Sequence, residues 1–294
     1  MKLYLAQLNP IVGAVQRNKD KLLDEVKKAH AQQADLIIFS ELFLTGYPPQ
    51  DLLLLDYVIE DVEKSIQEVC EASKTCPHLG ILCGVPRLSS QGKGLMNMSV
   101  LIQNGTVLFE QAKTNLPNYD VFDETRFFEK ATNRTVFEFK SKRIGVTICE
   151  DAWSKPANIR NFHLNYPDNP IEDLANQGVD FIINMSASPF EIGKDQFRHD
   201  LFSSHAKSSQ CPLIFLNQVG GNDQLIFDGT SMVFNQEGSL HHQLLSFEED
   251  AYVFDLTNVN LTTSFNPILD VKGIHDALVL GIRDYIHKCG FSQV

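Results

Sequence analysis

What most constrains the fold of this chain is a set of short runs that are apolar at nearly every position: Leu36-Ile-Ile-Phe39, Ile144-Gly-Val-Thr-Ile148, Phe181-Ile-Ile183 and Leu213-Ile-Phe-Leu216. A strand covered on one face alternates apolar and polar residues, whereas a continuous apolar run belongs to a sheet covered on both faces. Strand-like runs fall at residues 3–8, 35–40, 80–85, 99–103, 106–110, 143–149, 180–185, 212–218, 231–235 and 251–256. Helical patterns lie between them at 18–32, 51–73, 171–177 and 195–209. Asn104-Gly105 has the two-residue form of a hairpin turn that needs positive φ, and 235–238 is a second reversal. These features describe an α/β protein with mixed sheets, long enough at 294 residues to bury a large core in one domain.

Composition narrows the function. No apolar run approaches the roughly 18 residues that span a bilayer, and the first residues alternate without the h-region of a signal peptide. The expectation is a cytoplasmic protein with no membrane partner. A formal net charge of −12 disfavours a phosphate-backbone partner, so no nucleic acid is expected. The six cysteines form no Cys-x-x-Cys pair, and the nine histidines form no His-Glu-x-x-His cluster. Reduced thiols and no metal site are expected, with His241-His242 in a solvated strand or turn. Residues 274–288 read as an amphipathic helix with apolar positions Leu278, Leu280, Ile282 and Ile286. Gly290 follows it, and Phe291 and Val294 point onward as if a strand were starting.

Three of the strand-like runs lead into chemistry. Leu36-Ile-Ile-Phe-Ser-Glu41 ends in a carboxylate, Thr106 to Lys113 in an ammonium, and Gly145-Val-Thr-Ile-Cys149 in a thiol followed by Glu150-Asp-Ala-Trp153. Neighbouring strands in parallel-type sheets would bring these ends together at the carboxyl edge, where ligands of α/β proteins bind. There Glu41 can accept the thiol proton, Lys113 can stabilise thiolate and oxyanion, and Cys149 can attack a carbonyl. Singly, each has a plainer reading. A cysteine after an apolar strand is usually a small core residue, and a strand-terminal Glu or Lys usually faces solvent. Asp228-Gly-Thr-Ser231 reads as a tight bend whose hydroxyls satisfy local backbone groups.

The strings around these residues resemble the nitrilase superfamily of carbon–nitrogen hydrolases, whose mark is a Glu-Lys-Cys triad on an αββα four-layer sandwich. The resemblance is closer still to the amino-terminal glutaminase domains of glutamine-dependent NAD+ synthetases. It runs through Glu41-Leu-Phe-Leu-Thr-Gly-Tyr-Pro-Pro-Gln-Asp-Leu-Leu-Leu54, the stretch Lys113 to Phe128 and Gly145 to Trp153. It implies that Glu41 is the general base, Lys113 the oxyanion-side cation and Cys149 the nucleophile, with the backbone N–H of Glu150 completing the oxyanion hole. Tyr119, Ser188 and Lys194 match the family's contacts to glutamine, and Glu124 matches a second glutamate that orients the lysine or the substrate. Without the resemblance, a core tyrosine, a turn-forming Ser-Pro and a helix-start lysine would be the preferred readings of those three contacts.

The resemblance also implies L-glutamine as substrate, a homo-oligomer, and no cofactor for the glutaminase half. Residues 1–265 then form the carbon–nitrogen hydrolase domain, and 266–294 form a linker and the first helix of a synthetase domain. The phosphate-binding Ser-Gly-Gly-x-Asp-Ser loop of that second domain does not occur in this chain. ATP and Mg2+ are therefore implied only for the absent part, which is the expected partner. The alternatives are a stand-alone amidase of the ω-amidase or carbamoylase type, and a silent assembly module.

Overall fold

The computed structural model of the chain describes residues 1–89, 94–154 and 166–293. In chain order these contain β1 (Lys2–Gln7), α1 (Val15–Ala31), β2 (Leu36–Ile38), α2 (Asp56–Ser73), β3 (Gly80–Leu88), β4 (Leu95–Gln103) and β5 (Thr106–Ala112). There follow β6 (Phe137–Phe139), β7 (Lys142–Ile148), α3 (Pro170–Asn176), β8 (Phe181–Ser186), α4 (Lys194–Ser209) and β9 (Leu213–Asn217). The last elements are β10 (Val219–Asn222), β11 (Leu225–Asp228), β12 (Met232–Phe234), β13 (Leu240–Gln243), β14 (Asp250–Asp255) and α5 (Asp270–Lys288).

The strands form two six-stranded sheets, ordered β14-β1-β2-β3-β4-β5 and β13-β12-β9-β8-β7-β6, with β10 and β11 as a separate ribbon. Each six-stranded sheet has three parallel strands at its centre, β1-β2-β3 in one and β7-β8-β9 in the other, flanked by antiparallel strands. The apolar runs acquire their meaning here. Leu3, Leu5, Leu36, Ile38 and Leu82 of the first sheet pack directly on Ile144, Val146, Phe181, Ile183 and Ile214 of the second. The alternate positions Tyr4, Ala6, Ile37 and Ile81 meet Leu22 and Val26 of α1 and Ile66 and Val69 of α2. Ile182, Leu213 and Phe215 meet Ile171 of α3 and Phe202 and Ala206 of α4. With both faces buried, neither face has a polar position to offer, and the order of layers is the αββα sandwich.

Several boundaries depart from the sequence-based expectations. The helix expected at 51–73 is divided: a 3-10 turn spans Gln50–Leu54, and α2 starts only at Asp56. Asn104 and Gly105 do form the tight β4–β5 turn, with φ of 45° and 88°. His241 is buried in β13, its ring nitrogens bonded to the Leu261 carbonyl and the Tyr252 hydroxyl, so it is not the solvated residue expected. Residues 291–293 form no strand, the Phe291 N–H donating back to the Ile286 carbonyl at 3.0 Å, and Val294 lies outside the described residues.

Helix α5 lies on the β10–β11 ribbon. Gly221 and Gly281 let the two backbones approach, since a Cβ on Gly221 would stand 3.1 Å from the Gly281 Cα. Ala277 and Leu280 pack against Val219 and Phe247, while Val271, Leu278, Ile282 and Tyr285 are exposed. Among the described residues no helix is long and apolar enough to cross a membrane.

Candidate active site

The three strand ends converge, but not as neighbours in a sheet. β2 and β5 are separated by β3 and β4, and β7 belongs to the other sheet. What unites them is that the two sheets lie back to back, so their carboxyl edges open on one space.

Each end is shaped by its surroundings. Past β2, the Phe39 N–H still donates to the Leu82 carbonyl at 2.9 Å, and the chain then folds tightly over Gly84 of β3. A Cβ on Gly84 would stand 2.3 Å from the Leu42 nitrogen and 2.5 Å from the Ser40 oxygen. Lys113 directly follows β5, its N–H donating to the Asn97 carbonyl of β4 at 2.8 Å. Cys149 directly follows β7 with φ of 43°, a left-handed conformation that costs a side-chain-bearing residue about 1–2 kcal/mol. Asp151 brackets that turn. Its Oδ2 accepts from Ile148 N–H at 3.0 Å, and its Oδ1 accepts from Thr114 and Asn115 N–H at 2.9 and 2.8 Å. One carboxyl thus ties the cysteine turn to the residues after the lysine; burial lifts it to about 6 against the pull of those N–H groups.

The side chains form a buried network. Lys113 Nζ donates to Glu41 Oε1 at 2.7 Å and to Glu124 Oε1 at 2.8 Å, and the lysine side chain is 0% exposed. Glu41 is further held by Asn97 Nδ2 on Oε1, 2.7 Å, and by the Ala187 N–H on Oε2, 3.0 Å. Tyr47 OH donates to Glu124 Oε1 at 2.8 Å, leaving Glu124 Oε2 buried and without a partner among the described residues. Burial acts on each group in the direction expected of it. It would lower the Lys113 ammonium, but Glu124 and Glu41 outweigh it and hold the cation well above its ordinary range. Burial, opposed by Lys113 and helped by Glu41, pushes Glu124 up to about 7. Burial, reinforced by the charge of Glu41 and opposed by Lys113, pushes the Cys149 thiol well up. At neutral pH the sulfur therefore keeps its proton and needs a base to act as a nucleophile.

A second group of residues faces the same cysteine. The Glu150 carboxylate accepts from Tyr119 OH at 3.0 Å and Tyr166 OH at 2.7 Å, and burial raises its pKa. Lys194 opens α4 and lies 5.5 Å from the Trp153 ring centroid; its nearest carboxylate, Glu191, is 4.0 Å away and exposed. Burial, with Arg198 adding to it, lowers the Lys194 pKa, and its charge reaches both Cys149 and Glu150. The Ser188 backbone is pinned at both ends by the Asn217 amide, at 2.8 and 3.1 Å. A buried carboxylate and a buried ammonium near one sulfur match the two charges of an α-amino acid. A cavity of about 240 Å3 adjoins the Tyr47–Glu124 side, walled by Leu53, Phe122, Phe127 and Phe128. Among the described residues no three His, Cys, Asp or Glu side chains could hold a metal ion. All six cysteines are free.

The sequence reading missed Asn97, Tyr47 and Tyr166. Asn97 interrupts the apolar run Leu95-Met-Asn-Met98 just before the strand expected at 99–103, and that polar break was its one signal. Tyr47 sat unremarked in the turn-rich stretch after Glu41. The Asp228 bend also has a further role. Asp228 pairs with Arg198 at 2.7 Å, both side chains 0% exposed, joining β11 to α4.

Comparison with known proteins places the chain. A family model described as carbon–nitrogen hydrolase matches residues 2–262. A glutamine-dependent NAD(+) synthetase of Synechocystis sp. is 42% identical over 299 residues, covering 98% of this chain and 53% of that protein. One from Acinetobacter baylyi is 35% identical, covering 100% and 52%. Among solved structures, the glutamine-dependent NAD+ synthetase from Acinetobacter baumannii in complex with ADP superposes with a TM-score of 0.87 at 36% identity, covering 100% of this chain and 53% of that one. An amidase from Nesterenkonia sp. shares the fold with a TM-score of 0.72 at 21% identity. The chain spans about half the length of the synthetases it matches.

Proposed function

The chain belongs to the carbon–nitrogen hydrolase family, and from that premise we propose that it hydrolyses the side-chain amide of L-glutamine through a thioester on Cys149. The observation that carries this reading is the Lys113 ammonium, wholly buried between Glu41 and Glu124 beside a buried thiol. Glu41 takes the thiol proton as sulfur attacks the amide carbon, and the carbonyl electron pair moves onto oxygen. Lys113 and the Glu150 backbone N–H stabilise that oxyanion. Its collapse re-forms the carbonyl and breaks the C–N bond, Glu41 returning the proton to the departing ammonia. Water, activated by the same carboxylate, then splits the thioester to glutamate and regenerates the thiol.

Glutamine is favoured over other small amides by the charges at the amino-acid end. Glu150, steadied by Tyr119 and Tyr166, suits an α-ammonium; Lys194 and Ser188 suit an α-carboxylate. The relatives' common name points the same way. On this reading residues 1–265 are the glutaminase domain, 266–294 lead toward a synthetase domain, and the ammonia serves ATP-dependent amidation of deamido-NAD+. ATP and Mg2+ belong to that other domain. A stand-alone amidase is the competing reading. Incubating the protein with L-glutamine and with 4-aminobutanamide, which lacks the α-carboxylate, separates the two. Ammonia from glutamine at much the higher kcat/KM, together with a single covalent adduct of an electrophilic glutamine analogue on the Cys149 peptide, is the expected result. Equal rates on both amides would remove the amino-acid specificity, and full turnover by Cys149→Ala would remove the mechanism.

A further inference from the structure

Lys288, the last residue of α5, does not face solvent as a lysine at a helix end usually does. Its ammonium sits among oxygens from two other segments: Asn9 Oδ1 at 2.6 Å, Pro10 O at 3.1 Å, Gly221 O at 2.9 Å and Asn222 Oδ1 at 2.7 Å. One turn earlier, Asp284 accepts from Asn9 Nδ2 and from the Gly221 N–H, both at 2.7 Å, and stands 3.6 Å from the lysine. By itself this cluster anchors the helix. The further observation is what Asn222 does with its other end: Nδ2 donates to the Tyr47 carbonyl at 3.2 Å, where Gln218 Nε2 also donates at 3.3 Å. Tyr47 in turn donates its hydroxyl to Glu124, which shares Lys113 with Glu41. Hydrogen bonds at both ends of Tyr47, to its main-chain carbonyl and from its hydroxyl, therefore link the end of α5 through the covalent frame of that residue to the proposed catalytic groups.

We propose that Lys288 is a positioning residue for that site, holding Asn222 on the Tyr47 carbonyl and so fixing the Tyr47 hydroxyl on Glu124. The assignment rests on the glutaminase reading for its rate measurements, but not for its chemistry at sulfur. An ammonium satisfied by fixed oxygens sets the Asn222 amide so that its oxygen faces Lys288 and its nitrogen faces Tyr47. Without the cation that orientation loses its cause, and the amide can turn its oxygen toward the carbonyl. Tyr47 then shifts on a long bond to Gln218 alone, Glu124 loses a donor, and Lys113 is shared differently between the two carboxylates. The effect belongs in kcat, because none of these groups meets the amino-acid end of the substrate.

The test uses Lys288→Met and Asn222→Asp, read by glutamine turnover and by the rate at which iodoacetamide alkylates Cys149. Asn222→Asp keeps an oxygen on Lys288 but deletes the donor to Tyr47, so it breaks the link while leaving the helix anchored. Both variants are expected to lower kcat by roughly 2- to 30-fold with KM nearly unchanged, and to alter the alkylation rate. In a Tyr47→Phe background, Lys288→Met is expected to add little, because the link is already cut. Loss of stability in Lys288→Met with full activity in Asn222→Asp would reduce Lys288 to a structural anchor. Effects of Lys288→Met and Tyr47→Phe that simply multiply would equally overturn the proposal. If glutamine is not turned over at all but both variants still alter alkylation, the glutaminase reading falls and the positioning role stands.

Discussion

Glu124 is the residue whose protonation most sharply divides two effects that otherwise move together. It sits near 7 because burial and Glu41 oppose its charge while Lys113 favours it. Above that pH it is ionised, and its charge, like that of Glu41, holds the Cys149 proton on. Glu124→Gln removes the charge and one of the lysine's two carboxylates. We therefore expect faster alkylation of Cys149 by iodoacetamide than in the parent above pH 7, and convergence of the two below pH 7, where the parent's Glu124 carries its proton. Glutamine turnover is expected to fall by about 10²-fold or more because Lys113 loses the second of its two counter-charges. Equal alkylation at every pH would show that Glu124 does not act on the sulfur. At this scale Glu41 and Cys149 stood out because each ends an apolar run, whereas Lys113, which follows Glu110-Gln-Ala112, stood out only as a strand end in company with the other two. Asn97 and Tyr47 stayed obscure because their partners lie 56 and 77 residues away. A single polar residue in a strand or turn carries no mark of what it will meet after folding.

Between elements, the joints decide whether these residues meet. Gly84 is the joint of β3 with the loop bearing Glu41, and its missing side chain is the space that loop occupies. Gly84→Ala is expected to retain the fold and lose most glutamine turnover, since the Ser40–Leu42 backbone must move and a shift near 1 Å can cost about 10²-fold. Parent-like kcat in a soluble, folded Gly84→Ala protein would mean that the loop adapts. Arg198 and Asp228 join α4 to β11 with both charges removed from water. Arg198→Met leaves Asp228 buried and unpaired, at an expected cost of about 3–5 kcal/mol. Replacing Asp228 by Leu as well is expected to recover much of that loss, which urea midpoints for the single and double variants would measure. Apolar periodicity located most strands and helices within a few residues. It missed the break before α2 because Leu52, Leu53 and Leu54 continue the apolar pattern through a turn that is not α-helical. The three strand ends do meet at a carboxyl edge but not as neighbours: β3 and β4 separate β2 from β5, and the third end comes from the opposing sheet, which strand patterns alone do not reveal.

For the molecule as a whole, the decisive fact is that the layer between the sheets belongs to both of them. Neither sheet keeps its inner face dry without the other, so residues 1–262 should unfold as one unit. Trp153, the only tryptophan, lies beside the site and reports on it. Its fluorescence and the far-UV circular dichroism are expected to give superimposable denaturation curves, and Ile183→Ala should shift both by about 2–5 kcal/mol. Two separated transitions would mean that the sheets are independent folding units. The sandwich itself was legible only in part: continuous apolar runs announce sheets covered on both faces, but that each sheet covers the other was supplied by family resemblance. This shared, over-determined body also explains how Cys149 can stay at a φ of 43°. Glycine alone is at ease there, so Cys149→Gly should melt no lower than Cys149→Ala despite glycine's greater freedom when unfolded. Relieving that strain by substitution would thus discard the sulfur itself. Any campaign to stabilise this protein needs a screen for ammonia release in every round.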